Sequence, residues 1–170
     1  MPDPISQIKM ERTTTLKFKT RSVDESTRFG EAFGAAIPYG VCISLVGTLG
    51  AGKTTLAGAI CRGLGVTETV LSPTFILFEE FEGRLPVVHI DLYRLEYESE
   101  IEELGIFDTI GSGRVILAEW GDRSDLLLGL SEIVVEMSSP SSNPERVTER
   151  QLDIRCTAQA ADIFKGAEQW

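Results

Sequence analysis

The sequence predicts an α/β protein built on a mixed parallel and antiparallel sheet, and three observations support this. A buried strand, VCISLV (41–46), leads through a glycine-rich turn directly into a helix, as in proteins with parallel sheets. The segment 75–95 consists of two strand patterns around a turn at Gly83–Arg84, which predicts an antiparallel hairpin. The chain has 170 residues, the usual size of one domain. We therefore expect a single domain, 1–170, with about 12 flexible residues at each end.

The remaining elements can be predicted in order along the chain. The segment TTLKFKT alternates apolar and polar residues, which predicts a strand. Residues 22–37 place apolar side chains on one helical face behind a cap at Ser22 or Asp24. The helix after the glycine turn should run from about Lys53 to Leu64, where glycines follow. Later segments predict a short acidic helix, three strands and a C-terminal helix that frays: ESEIEELG, RVILAEW, EIVVEM, RQLDIRC and AQAADIFKGAEQW.

Composition narrows the classes of function. The formal net charge is -10, so unaided binding to nucleic acid is disfavoured, whereas a subunit that docks on a more basic partner fits. No apolar run approaches the roughly 20 residues that span a bilayer, and the N-terminus lacks the layout of a secretion signal. Three widely spaced cysteines, Cys42, Cys61 and Cys156, predict reduced core thiols. Together these features predict a cytoplasmic protein.

The glycine-rich turn predicts a phosphate-binding loop. Gly47, Gly52, Lys53 and Thr54 satisfy the pattern G-x-x-x-x-G-K-[ST] between a strand and a helix, the context in which this motif is specific. Glycines allow successive backbone N–H groups to point at phosphate oxygens, and the helix adds the positive end of its dipole. Lys53 should reach the outer phosphates and the Thr54 hydroxyl should ligate Mg²⁺.

Two acidic residues end predicted strands. Glu119 follows four apolar residues in VILAEW, and Asp91 ends VVHID. Both are expected to serve the metal and the attacking water, but spacing alone leaves their roles interchangeable. The guanine-specific element N-K-x-D does not occur, which favours ATP, and DTIG (108–111) follows a short helix rather than a buried strand, so we interpret it as a chance match. His89, between two apolar strand residues, is interpreted as structural.

Five motifs occur in order and together resemble one family: GTLGAGKTTLAGAI, SPTFILFEEF, HIDLYRL, EELGIFD and ILAEW. They are similar to the TsaE (YjeE) family, small bacterial P-loop ATPases of tRNA threonylcarbamoyladenosine biosynthesis. The similarity covers roughly residues 22–137. It implies a three-layer P-loop NTPase-like fold and Mg-dependent ATP hydrolysis that is weak alone. It also implies a supporting role for a TsaB–TsaD pair that modifies the adenosine beside the anticodon of tRNA.

The resemblance also implies site residues. Leu49 to Thr55 would surround the phosphates, with Thr54 and Glu119 at Mg²⁺ and Asp91 near the γ-phosphate and its water. Thr74 would lie in a segment that senses this phosphate, and Trp120 would lie beside the nucleotide. Glu25 and Thr27 would lie near adenine. The residues implied as nucleotide contacts are Glu25, Thr27, Leu49, Gly50, Ala51, Gly52, Lys53, Thr54, Thr55, Thr74 and Trp120; the catalytic set is Lys53, Asp91 and Glu119.

Two positions depart from the family pattern. Thr48 stands where the family commonly has an acidic residue, and Gly121 replaces the usual proline, which predicts a more flexible exit from the strand. Arg123 is a candidate contact to a partner or a phosphate. Beyond about Pro140 the resemblance is weak.

Two other functions use the same loop. A small-molecule kinase would need an acceptor pocket and an arginine-rich lid, for which the predicted loops are short. A nucleotide-gated binding module would need no hydrolysis. Acceptor-dependent ADP release would distinguish the kinase, and function without hydrolysis would distinguish the module.

Overall fold

The computed structural model describes residues 10–73, 78–140 and 147–170. The strands of this described part are β1 (Thr14–Thr20), β2 (Cys42–Val46), β3 (Phe78–Phe81), β4 (Val87–Asp91), β5 (Val115–Glu119), β6 (Ile133–Ser138) and β7 (Arg150–Cys156). Its α-helices are α1 (Val23–Ala36), α2 (Lys53–Gly63), α3 (Ser99–Glu103), α4 (Ile106–Thr109) and α5 (Asp125–Leu130).

The strands form one mixed sheet in the order β1-β7-β6-β2-β5-β4-β3. The central strands β6, β2, β5 and β4 are parallel. At the two sides of this set β3 pairs antiparallel with β4 and β7 pairs antiparallel with β6, and β1 pairs antiparallel with β7 at the edge. The predicted mixed sheet with a β3–β4 hairpin is therefore confirmed. The strand β4 ends at Asp91 rather than Leu95, because Asp91 Oδ1 accepts a hydrogen bond from the Tyr93 backbone N–H (2.9 Å) and turns the chain. Residues 75–77 of the predicted hairpin lie outside the described part.

Helices cover both faces of the sheet, which gives the three layers that the resemblance implied. Alternate strand residues point to opposite faces, so Ile43 and Leu117 pack with α1 and α2, whereas Cys42 and Ile116 pack with α3, α4 and α5. All three cysteines are buried and unpaired, as predicted. The face that carries α1 and α2 is the one that holds the functional groups described below.

Close packing of α1 on α2 depends on two glycines. A Cβ on Gly34 would lie 2.1 Å from the Ile60 carbonyl oxygen, and one on Gly63 would lie 2.1 Å from the Glu31 carbonyl oxygen. Any larger residue at either position would push the helices apart. These contacts fix the axis of α2 and thereby the place of its N-terminus.

The C-terminal segment differs from its prediction as a fraying α-helix. It forms two 3-10 turns, Ala160–Phe164 and Ala167–Gln169, because Lys165 is extended and Gly166 has a φ of 82°. Phe164 is buried against Phe33, with ring centroids 4.8 Å apart. The Trp170 ring also packs on Phe33 at 6.4 Å. The C-terminal segment therefore contributes side chains to the hydrophobic core.

Shortening Phe164 should therefore destabilise the fold. We expect Phe164→Ala to lower the free energy of unfolding by about 3–5 kcal/mol, because it removes a buried aromatic ring and leaves a cavity. Urea denaturation measures the change. The exposed neighbour Lys165, changed to Ala, is the control and should shift stability by no more than about 0.5 kcal/mol. Equal stability of the two variants would contradict the core role of the tail.

Candidate functional site

The glycine-rich loop connects β2 to α2 and needs its glycines for two different reasons. Gly52, the residue before α2, has a φ of 98°, a left-handed conformation that side chains disfavour. At Gly47 a Cβ would lie 2.4 Å from the Met137 carbonyl oxygen, so space also excludes a side chain there. The loop thus brings bare backbone to the N-terminus of α2, where unpaired N–H groups favour anions.

Lys53 is the first residue of α2 and folds back over the loop. Its Nζ donates hydrogen bonds to the carbonyl oxygens of Gly47 (2.7 Å) and Thr48 (2.9 Å). The same Nζ lies 3.7 Å from the centroid of the Trp120 ring, a cation–π distance. Burial lowers the pKa of Lys53 from its ordinary value, and the nearby carboxylates, first Glu119, act in the opposite direction. An anion bound in the loop would further favour the charged form of Lys53.

The two predicted acids lie side by side above this loop. Asp91 and Glu119 are the last residues of the adjacent parallel strands β4 and β5 and are direct register partners. Glu119 is buried, and its Oε2 accepts a hydrogen bond from the Thr54 hydroxyl at 2.7 Å. Because carboxyl ends of parallel strands meet at one edge of a sheet, strand order alone brings these groups to the loop.

Asp91 accepts hydrogen bonds from residues outside the glycine-rich loop. Its Oδ2 accepts a hydrogen bond of 2.5 Å from the Ser72 hydroxyl, and its Oδ1 accepts the bond from the Tyr93 backbone described above. Ser72 belongs to the segment SPT; Thr74 of that segment lies outside the described residues. The contact links the strand end at Asp91 to the stretch for which the resemblance implied phosphate sensing.

A cavity of about 480 Å³ joins these groups. Nine of the predicted site residues line it: Leu49, Gly50, Gly52, Lys53, Thr54, Thr55, Asp91, Glu119 and Trp120. The lining also contains Ser72 and Tyr93, which the sequence reasoning missed. Both could have been found from their motifs, since Ser72 begins SPT and Tyr93 lies in HIDLYRL, two residues after Asp91.

Trp120 reaches this cavity through an unusual backbone. Its φ of 57° and ψ of 39° make it the one non-glycine residue with positive φ in the described part. Such a conformation costs roughly 1–2 kcal/mol, and residues that adopt it are often found at functional sites. The Trp120 ring packs on Tyr93 with centroids 5.0 Å apart, and the Arg123 guanidinium lies 5.3 Å from the Tyr93 ring centroid. Arg123 therefore lies beside two aromatic residues of the cavity.

The two family departures have local explanations in the structure. Thr48 is exposed, and its carbonyl rather than its side chain contacts Lys53. Gly121 is buried, and a Cβ there would lie 2.3 Å from the Ser44 hydroxyl oxygen. The space that Ser44 occupies thus accounts for a glycine at this position, and the more flexible exit stays a prediction.

Arg150, the first residue of β7, contacts the loop from a position about a hundred residues away. Its Nε donates to the Ala51 carbonyl oxygen (2.7 Å) and an Nη donates to that of Gly50 (3.1 Å). Because C=O and N–H of a trans peptide point in opposite directions, the bond to Ala51 turns the Gly52 N–H away from Arg150. No spacing in the sequence signals this contact, since it depends on sheet order.

Loss of these bonds should weaken anion binding by the loop. We expect Arg150→Gln to bind Mg-ATP and inorganic tripolyphosphate about tenfold more weakly, because hydrogen bonds from charged donors contribute about 1.5 kcal/mol or more each. Isothermal titration calorimetry measures both ligands. Arg155→Gln, on the same strand but half-exposed, is the matched control and should bind normally. A loss confined to ATP would contradict the loop effect and assign Arg150 to the base instead.

The structure does not bring Glu25 or Thr27 to either cavity at the loop. The Glu25 carboxylate accepts the backbone N–H of Arg21 (2.8 Å), the residue before the cap, and the Ser22 hydroxyl caps α1 by accepting the backbone N–H of Glu25. A second cavity, of about 140 Å³, lies on this side of the loop. Its lining includes Val23 and Ser26 from α1, Ala51 and Thr55 from the loop region, and Arg150.

The oxygen groups present fit a magnesium ion. Mg²⁺ is usually held by one or two carboxylates or hydroxyls, by phosphate oxygens and by water, rather than by a full protein cage. The Thr54 hydroxyl and the Glu119 carboxylate, 2.7 Å apart, provide such oxygens. The described residues contain no cluster of three or more His, Cys, Asp or Glu able to hold a metal by themselves. No helix among them is long and apolar enough to cross a membrane.

The fold and the site define a protein of the P-loop class. The sequence matches the family model described as "Threonylcarbamoyl adenosine biosynthesis protein TsaE" over residues 20–151. The chain belongs to this TsaE family, and the resemblance drawn from its five motifs is confirmed. The match continues past Pro140 to include Arg150, where the sequence alone had indicated only a weak likeness.

Several proteins similar to the chain carry the same description, "tRNA threonylcarbamoyladenosine biosynthesis protein TsaE". One from Treponema pallidum is 35% identical over 61% of this chain and 77% of its own length. One from Nostoc is 36% identical over 70% of this chain and 75% of its own, and one from Mycobacterium bovis is 32% identical over 78% and 73%. A crystal structure of YdiB from Bacillus subtilis superposes with a TM-score of 0.75 at 23% identity, covering 92% of this chain and 95% of that one, which supports the fold.

Proposed function

We propose that the chain binds and hydrolyses ATP as an accessory subunit of tRNA threonylcarbamoyladenosine biosynthesis. It would act in the cytoplasm on a TsaB–TsaD complex, which modifies the adenosine next to the anticodon. Family membership supports the pathway. The single observation that carries the chemistry is the Thr54–Glu119 hydrogen bond of 2.7 Å at the glycine loop, since it brings a P-loop hydroxyl and a strand-end carboxylate to one point.

The chain's own groups suit phosphoryl transfer to water, which depends on positioning and charge neutralisation. Lys53 would exchange its two carbonyl partners for phosphate oxygens, because charge-assisted hydrogen bonds are stronger than those to neutral carbonyls. Thr54 and Glu119 would hold Mg²⁺, which would neutralise charge on the phosphates. Asp91 would orient the attacking water from the neighbouring strand end. The assignment of Asp91 and Glu119 follows the family motif and not their spacing.

The second cavity is the site that we propose for the nucleobase. It borders the loop on the side away from Glu119 and shares Gly50, Gly52 and Thr55 with the first cavity. Val23 provides an apolar surface and Ser26 a hydroxyl, which suit the face and edge of a base. We therefore propose Val23 and Ser26 as adenine contacts beside Glu25 and Thr27, the pair that the resemblance implies.

Slow hydrolysis by the isolated chain fits this site. Lys53 is the buried cation of the first cavity, and Arg123 lies exposed beside the aromatic rings. An arginine supplied by a partner accelerates such reactions by about 10³ to 10⁵. The net charge of -10 also suits docking on a basic protein surface.

The test is a pull-down of purified TsaB–TsaD with this chain, with and without Mg-ATP, followed by an ATPase assay of the assembled complex. We expect nucleotide-dependent assembly and hydrolysis that rises when all three proteins are present. Strong ADP release with a small hydroxyl acceptor and no protein partner would instead identify a kinase. If a variant that binds ATP but cannot hydrolyse it sustained repeated rounds of tRNA modification, the protein would be a nucleotide-gated binding module.

A further inference from the structure

His89 is a fully buried polar residue that the proposed chemistry does not use. It lies in the middle of β4, two residues before Asp91, on the sheet face that carries α2. Its Nε2 lies 2.8 Å from Glu119 Oε1 on the adjacent strand. Its other ring nitrogen, Nδ1, has no hydrogen-bond partner within the described structure. The imidazole therefore makes one polar contact there, and that contact is with Glu119.

The direction of this hydrogen bond follows from the chemistry of a carboxylate. An ionised carboxylate only accepts hydrogen bonds, so Nε2 must carry the proton and donate it to Glu119. The opposite tautomer would place two acceptors against each other and bury an unpaired N–H donor. Most buried polar side chains are hydrogen-bonded, and for this imidazole the bond to Glu119 meets that need at Nε2.

The bond fixes one oxygen of the carboxylate and leaves the other for the site. Glu119 Oε1 is occupied by His89, and Oε2 faces the Thr54 hydroxyl. Glutamate has three side-chain torsions, and the last of them is broad, so a single contact from Thr54 would leave the carboxylate plane free to rotate. A second contact, from a rigid ring in a strand, restricts that rotation before any ligand binds.

We propose that His89 is a positioning residue, which orients Glu119 so that Oε2 is presented to the magnesium ion of a bound nucleotide. The proposal rests on the proposed function, because it assumes that Glu119 serves Mg²⁺. Partners that orient metal-binding carboxylates typically change metal affinity by about 10- to 100-fold when they are removed. His89 is predicted to act on the coupling between metal and nucleotide, not on nucleotide binding itself.

The experiment measures this coupling in four proteins. Calorimetry gives the Kd of a non-hydrolysable ATP analogue with Mg²⁺ and with EDTA for the wild type and for His89→Gln, His89→Asn and His89→Leu. The Gln amide reaches about as far as Nε2 and should preserve the ratio of the two Kd values. Asn is too short and Leu cannot donate, so both should reduce the ratio by about tenfold or more and leave the EDTA value unchanged.

The control is Val87→Ala, which shortens a buried residue two positions earlier on the same face of β4. It should lower the thermal midpoint but keep the wild-type ratio of Kd values. If His89→Leu fails to fold, the comparison of the Gln and Asn variants decides. Equal ratios for these two would overturn the proposal, as would an equal loss of binding with and without Mg²⁺. If Mg²⁺ did not change the Kd of the wild type, the proposed function itself would be overturned. This outcome is distinguishable from the two that overturn only the role of His89.

Discussion

Replacing Lys53 by alanine should abolish the proposed nucleotide-dependent function of this protein. Lys53 is buried at the N-terminus of α2, with its Nζ directed to the loop carbonyls and the Trp120 ring. Phosphate contacts from a charged donor are worth about 1.5–3 kcal/mol each, so losing one or two should weaken Mg-ATP binding by about 10- to 10,000-fold. Calorimetry measures the affinity, and a modification assay with TsaB–TsaD and tRNA measures the function.

The control for this prediction is Lys165→Ala, which removes the same charge from an exposed tail position paired with Asp162. It should bind and function normally. Thermal unfolding of Lys53→Ala should remain cooperative, because Lys53 lies in α2 and alanine is the residue that favours a helix most. If Lys53→Ala supported full modification, the ATP-driven mechanism would be wrong.

Replacing Glu119 by glutamine should separate binding from hydrolysis. The substitution keeps the shape of the side chain and its capacity to hydrogen-bond Thr54 and His89 but removes the negative charge. Loss of one preorganised electrostatic group typically costs about 10²- to 10³-fold in kcat. We therefore expect hydrolysis by the complex with TsaB–TsaD to fall by this factor, while ATP binding in EDTA persists.

Two comparisons make the result specific. Glu136→Gln removes a charge from an exposed residue of β6 and should hydrolyse ATP at the wild-type rate. Asp91→Asn should slow hydrolysis but keep the effect of Mg²⁺ on binding, because Asp91 is assigned to water. If Asp91→Asn, and not Glu119→Gln, lost the Mg²⁺ effect, the two acids would have exchanged roles.

The parts of the site that the sequence predicts are those fixed by local geometry. The glycine loop follows from a strand, a motif and a helix that are contiguous in the chain. The approach of Asp91 and Glu119 follows from their places at the ends of strands that prove to be adjacent and parallel. The loop needs only contiguous elements, whereas the approach of the two acids also needs β4 to pair with β5.

The parts that the sequence misses depend on which strands become neighbours. Arg150 reaches the loop because β7 lies beside β6 and β6 beside β2. His89 reaches Glu119 because β4 pairs with β5 in one particular register. The spacing of Ala160, Ile163 and Phe164 favours an α-helix, but Gly166 interrupts it. Pairwise tertiary geometry of this kind is not encoded in local periodicity.

The positions of the two tryptophans have a practical consequence for optical measurements. The chain has two, Trp120 under the Lys53 ammonium and Trp170 in the aromatic packing of the tail. A ligand that draws Lys53 away from the indole should change the emission of Trp120 alone, whereas loosening of the tail should change that of Trp170. A Trp170→Phe protein would then report site occupancy in a stopped-flow fluorimeter, and a Trp120→Phe protein would report melting of the tail, without any added dye.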